Sequence, residues 1–207
     1  MLRTGKTKVN MRIKAIATAL ILLASLFVWQ PPGALANSNS ISVIRIRQPI
    51  GSEWCWAASA VMAGRAVHPA SQITQRDVVS RIKGTTSLTA SGTLIDSMNG
   101  SRFVTNNTRV FSFIGIHTVN GVWTFAQIRR EIDRGRPVQA CWGVYNSIAV
   151  RQYGHMVVIF GYDAIRNEVL FNDPWCGTAR RMSYTSFLNR AENGGRARYD
   201  GTVFIVA

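Results

Sequence analysis

Apolar positions along the chain keep a helical spacing in its first half and turn into strand-like runs in its second. Ile41–Ile46 alternates imperfectly and predicts a short strand leading to Gln48-Pro49. Trp56 to about Ala66 is a run of small, helix-favouring residues interrupted only by Gly64, with Gly51-Ser52 upstream as turn and cap and His68-Pro69 as stop. Cys55 falls in the first turn of this predicted helix. Between Ser71 and Ile82 apolar residues at 73, 78, 79 and 82 predict an amphipathic helix ended by Gly84. Thr85–Thr108 is rich in Ser, Thr, Asn and Gly and reads as loop-rich surface, with a short helix at Leu94–Met98.

Phe111–Thr118 predicts a strand. Thr124 with Gln127 is a capping box, opening a helix with Phe125, Ile128 and Ile132 on one face and closed by Gly135 and Pro137. The pattern then becomes that of a sheet. Val138–Tyr145 is apolar and aromatic, and Gly154–Tyr162 is almost wholly apolar, a buried central strand. A turn at Arg166-Asn167 folds Glu168–Phe171 back on it as a hairpin. A helix at Ser183–Arg190 and a strand at Gly201–Ala207 complete the set. Helices first and antiparallel strands afterwards give an α+β fold, with a helical N-terminal part packed on a C-terminal antiparallel sheet.

The first 36 residues stand apart. Arg3, Lys6, Lys8, Arg12 and Lys14 form an acid-free basic segment, Ala15–Trp29 a short apolar run, and Ala34-Leu35-Ala36 a small-residue cleavage pattern. These are the three parts of a secretory signal peptide, and the apolar run is shorter than the roughly 20 residues an uncleaved anchor needs. Residues 1–36 are therefore expected to direct export, and 37–207 to form one domain, secreted or periplasmic, that meets a membrane only during export. Of the 24 Lys and Arg, the 19 beyond the signal segment face 10 Asp and Glu, a formal charge of +9. All but Lys83 are arginines, scattered as at Arg45, Arg65, Arg129, Arg180 and Arg198. That is the distribution of a solvated surface, and no nucleic-acid motif accompanies it, so nucleic acid is set aside as a partner. The cysteine and histidine spacing suggests no metal, and nothing points to a cofactor.

Candidate chemistry starts from Cys55. Unpaired N–H groups and the positive end of the dipole at a helix start favour a thiolate, and a thiolate is a nucleophile. The alternative is a buried structural cysteine. A nucleophilic cysteine needs a base, and the base an orienting group. His68, beside a proline, and His117, in a weak strand, lack polar companions. His155 stands at the mouth of the most apolar strand, straight after Gly154. Asp173 follows the strand that pairs with it, and antiparallel neighbours return their ends to one edge. Trp175 beside it is expected to shield the pair, and Trp54, Trp56 and Trp175 either line a cleft or belong to the core. If Cys55 is free, Cys141 and Cys176 are the remaining pair, and a disulfide between them is expected.

Together Gln48…Trp54-Cys55-Trp56-Ala57-Ala58, Gly154-His155 with the strand to Asp163, and Phe171-Asn172-Asp173-Pro174-Trp175 resemble the papain-like cysteine peptidases. The resemblance is closest to the branch of avirulence-type bacterial proteases and bacteriocin leader peptidases, and spans about Ile46 to Trp175. It implies Cys55 as nucleophile, His155 as acid/base, Asp173 as orienter and Gln48 as oxyanion donor. Gln48 precedes Cys55 by seven positions, one more than is usual there, so a slightly wider loop is expected. The implied activity is hydrolysis of a peptide or protein substrate through an acyl-thioester by a monomeric enzyme. With no pro-segment between signal peptide and Gln48, restraint is expected from a proteinaceous inhibitor as partner, from the compartment, or from intrinsically weak activity. A cell-wall peptide amidase or transpeptidase with the same triad, and a catalytically weak binding module, are the alternatives.

Overall fold

The structure is a computed structural model and describes residues 37–106, 109–114, 122–192 and 195–205. Residues 1–36, read as a signal peptide, His117 and the far end of the strand expected through Thr118 lie outside the described residues. Among the described residues five helices, α1 (Cys55–Val67), α2 (Gln75–Lys83), α3 (Leu94–Thr105), α4 (Phe125–Asp133) and α5 (Tyr184–Leu188), accompany eight strands. The strands are β1 (Ser38–Ser40), β2 (Val110–Ile114), β3 (Val138–Tyr145), β4 (Arg151–Asp163), β5 (Glu168–Asp173), β6 (Thr178–Ser183), β7 (Asn189–Glu192) and β8 (Gly195–Ile205). They form one sheet in the order β2-β8-β3-β4-β5-β6, with β1 on β4 and β7 on β8, every pairing antiparallel. This is the α+β fold the sequence pattern implies.

The core lies in two parts. One gathers α1, α2 and α3 against Cys141, Met156, Val158 and Val203; the other joins α4 and α5 to Trp142, Val157, Ile159 and Phe171. Because side chains alternate along a strand, β3 and β4 are apolar on both sides, which is why they read as continuous runs.

Several expectations move. The first strand is Ser38–Ser40, not Ile41–Ile46. β1 pairs Gly161–Asp163 of β4, and β3 occupies the same side of β4 as far as Ile159. From Ile41 onward the place beside β4 is taken, so the chain leaves the sheet after one more bond, from Ile41 N to Phe160 O (2.9 Å), and Val43 and Ile46 pack on the helical core instead. α2 starts at a Thr74–Asp77 capping box rather than at Ser71, and ends as expected on Gly84 at φ 65°. The α4 box is formed as read, with Thr124 Oγ1 accepting from Gln127 N.

The largest departure is α3, which runs to Thr105 from a Thr93–Asp96 capping box where only a short helix was expected. Its Ser97, Gly100 and Ser101 look like loop residues but are buried. A Cβ at Gly100 would sit 2.8 Å from Val78 Cγ1 and 3.1 Å from Ala60 Cβ, and one at Gly64 2.4 Å from Val104 Cγ1. Glycine lets α1 and α3 approach closely. A buried polar link then ties these helices to the sheet: Gln139 Nε2 donates to Ser101 Oγ (2.8 Å), and the Ser97 hydroxyl lies between Gln139 Oε1 (2.7 Å) and the Trp56 carbonyl (3.1 Å). It fixes α1, and with it Cys55, relative to β3.

Candidate active site

Cys55 is the first residue of α1, and its segment is held in place by the loop before α3. Glu53 N donates to Leu88 O (2.8 Å), Trp54 Nε1 to Ser87 O (2.8 Å) and Trp56 Nε1 to Ala90 O (3.1 Å). Gly92 completes the clamp, since a Cβ there would lie 2.3 Å from the Trp56 ring. The stretch that reads as featureless surface is therefore the support of the cysteine. Trp54 and Trp56 are core residues and line no cleft. The helix cap also differs from expectation: the N-cap position is Trp54, which makes no side-chain cap bond, while Gly51 (φ 74°) and Ser52 form the turn before it.

Gln48 is buried and joins two loops. Its backbone N donates to Pro174 O (2.9 Å) and its side-chain Nε2 to Ser52 O. Gly177 at φ 67° lets Arg47 pass over the turn after β5, where a Cβ would sit 2.8 Å from Arg47 Cβ. The segment carrying Gln48 is thus packed on the turn following Asp173.

His155 lies within β4, four residues in from the start of the strand rather than at its end, because the β3–β4 hairpin continues past the point where β5 stops. It pairs with Trp142, whose indole stacks on the imidazole at 6.2 Å between centroids and 21° between planes. β5 pairs with β4 as far as Val158 with Asn172. Continuing that register one step brings Asp173 beside Val157, and His155 is then its diagonal neighbour on the same face, within side-chain reach. His155 Nε2 and Asp173 Oδ1 are 2.7 Å apart.

Burial would raise the Asp173 carboxyl, but bonds from His155, from Trp175 N (3.0 Å) and from Arg180 outweigh it and hold the group below the usual carboxylate range. An ionised carboxylate only accepts, so His155 Nε2 carries the proton and Nδ1 is left to exchange one. The imidazole also lies within electrostatic reach of Cys55. Burial opposes charge on the ring, yet Asp173 and Cys55 together raise it to about 9, so the imidazolium is the form at neutral pH. The fold brings Cys55, His155 and Asp173 together.

A pH dependence of stability follows, and its sign is set by this raised value. The imidazolium contributes fully below the ordinary 6.5 of the unfolded chain, and its contribution is lost as pH rises through about 9. The urea midpoint is expected to fall between those values in the native protein. In His155→Phe the fall should be much shallower, as denaturation followed by circular dichroism will check.

Two expectations fail here. Trp175 does not shield the pair: it is 68% exposed and contributes only its backbone N–H, while the His155 and Asp173 side chains are 13% and 4% exposed through other packing. Cys141 and Cys176 are not bridged, and all three cysteines are free. β4 separates β3 from β5, so Cys141 lies about two strand spacings from the β5–β6 hairpin, beyond the roughly 7 Å between Cα atoms that a disulfide allows. Burial, reinforced by the nearby Asp200 carboxylate, pushes the Cys141 thiol far up and leaves it inert. His68 is exposed at the end of α1, away from this constellation. Sequence reasoning missed Arg180, whose Nη1 donates to Asp173 Oδ2 (3.2 Å). Nothing in the pattern separates it from the other arginines.

A helix that presents a cysteine to the histidine and aspartate of an antiparallel sheet is the arrangement of papain-like cysteine peptidases, and this chain is of that class. It belongs to the Peptidase_C39 like family, whose model matches residues 40–202 and so takes in both halves of the site. Among solved structures it is similar to a candidate C39-like peptidase from Bacillus anthracis (TM-score 0.55, 11% identity, 83% of this chain and 99% of that one). It is similar also to xylellain, a cysteine protease from Xylella fastidiosa (0.53, 13%, 87% and 91%). A third is the interpain A cysteine protease of Prevotella intermedia (0.54, 12%, 84% and 97%). At these identities the likeness is one of fold. No curated protein matches the chain.

Proposed function

We propose that the chain is an exported thiol hydrolase that cleaves peptide bonds with Cys55 as nucleophile, His155 as acid and base, Asp173 as orienting group and Gln48 as oxyanion donor. The observation that carries this reading is one imidazole bonded on Nε2 to Asp173 at 2.7 Å and lying within electrostatic reach of Cys55. With Nε2–H held by the carboxylate, Nδ1 of the resting imidazolium holds the proton taken from Cys55, and the Cys55 thiolate attacks the scissile carbonyl carbon. The negative charge that moves to the carbonyl oxygen needs donors fixed in advance. Gln48 Nε2 has two protons and Ser52 O engages one, leaving the second for this oxygen beside the backbone N–H of Cys55. The imidazolium then protonates the leaving amine as the C–N bond breaks, giving an acyl-thioester on Cys55. Water, deprotonated by the now neutral His155, releases the acid as the C–S bond breaks, which returns Cys55 as thiolate and His155 as imidazolium.

The substrate in this reading is a peptide or protein met outside the cytoplasm, in secretion or in the periplasm. A proteinaceous inhibitor is the expected restraint on the enzyme. Digestion of a mixed peptide library by the purified protein tests the function, with new termini identified by mass spectrometry. Cuts that vanish in Cys55→Ala support it, and an uncut library would count against it. Gln48→Ala is expected to lower kcat about a hundred- to a thousand-fold with little change in KM, as for loss of one oxyanion donor. A change in KM alone would remove Gln48 from that role.

A further inference from the structure

Arg180 is on β6, and the β5–β6 register sets it directly across from Phe171 while Asp173 pairs with Thr178. Asp173 is therefore the diagonal neighbour of Arg180 on one face of the sheet, at a distance long side chains cross. The guanidinium carbon lies 5.9 Å from the Phe171 ring centroid, and Nη1 donates to Asp173 Oδ2 at 3.2 Å. These contacts divide between the two oxygens of the carboxylate. Oδ1 accepts from His155 Nε2 and Trp175 N, and Oδ2 accepts from Arg180.

We propose that Arg180 is a positioning residue of this site, holding Asp173 ionised with Oδ1 turned to His155 and offsetting part of the negative charge that favours the imidazolium. The proposal takes its catalytic meaning from the triad reading above. Two demands on Asp173 conflict, and Arg180 reconciles them. The carboxylate must stay charged although its side chain is only 4% exposed, which needs a cation or several donors. Too strong a field on the imidazole, however, would keep His155 protonated when it must act as base on water. A guanidinium on the far oxygen supports the first and moderates the second. The titratable and charged groups that face the ring are Cys55 from α1 and Asp173 from β5, with Arg180 behind the carboxylate from β6; β3 presents the uncharged Trp142. The Arg180 side chain is 43% exposed, so solvent screens its charge and the effect is one of tuning.

The test is the imidazole titration of His155 followed by NMR in the native protein, Arg180→Gln and Arg180→Lys. Arg180→Gln should move the His155 titration upward by about half a unit to one unit, the size of a screened charge lost nearby. Arg180→Lys, which keeps the charge, should stay closer to native. The basic limb of kcat/KM should move up with the titration, while KM stays near native. Absence of an upward shift in Arg180→Gln, or an equal shift in Arg180→Lys, would overturn the proposal. The titration requires no turnover, so it decides the role of Arg180 separately from the peptidase reading, which peptide digestion decides.

Discussion

His155→Ala is expected to lower peptide hydrolysis about a hundred- to ten-thousand-fold, the contribution of a positioned acid–base group. In the proposed mechanism the imidazole has two tasks, taking the proton of Cys55 and giving one to the leaving amine, and no other described histidine can assume them, since His68 is exposed at the far end of α1. The loss should fall on kcat, because the ring is flanked by Trp142 and Asp173 and only 13% exposed, and so offers little surface for binding substrate. His155→Ala should still fold. It leaves a cavity beside Trp142 and removes one partner from Asp173, whose carboxylate keeps Arg180 and Trp175 N. Steady-state kinetics on a peptide found in the library digest will measure the effect. Activity within tenfold of native would place the base elsewhere.

Trp56→Ala is expected to destabilise the fold by about 3–5 kcal/mol, as for other large aromatic deletions in a packed core. Trp56 is 1% exposed, donates to Ala90 O at 3.1 Å, and has Gly92 against its ring and Lys83 Nζ 5.7 Å from its centroid. Removing it empties the space between α1 and the loop that supports Cys55, and orphans the Ala90 carbonyl. Urea denaturation is the measurement, with a lower midpoint and an unchanged slope expected. Trp175→Ala is the control: at 68% exposure it should change stability by no more than about 0.5 kcal/mol. Equal effects of the two substitutions would contradict the packing described for α1.

The site was more legible in the sequence than the frame around it. Cys55 is marked by the helix-favouring run after it, and His155 and Asp173 by the apolar strand and its hairpin, because antiparallel pairing returns sequence neighbours to one edge. The residues that hold those three in register left little trace. The full extent of α3 was hidden because Gly100, Ser97 and Ser101 serve close helix packing and a buried link to Gln139, and the same residue types dominate loops. Local composition cannot tell those uses apart, since only the partner helix decides. Arg180 was hidden for a related reason. Its role comes from a cross-strand diagonal, and among scattered arginines the register alone singles it out. The expected disulfide failed on strand order, which the hairpin signals do not give: β4 intervenes between the two cysteines' elements.

The most direct test of the central claim is the rate of Cys55 alkylation by iodoacetamide as a function of pH, in the native protein and in His155→Ala, with the labelled cysteine identified by mass spectrometry. Alkylation of Cys55 that is rapid near neutral pH in the native protein and slower by about tenfold or more in His155→Ala is the expected result for a cysteine activated by the imidazole. Alkylation confined to alkaline pH and identical in the two proteins would contradict it.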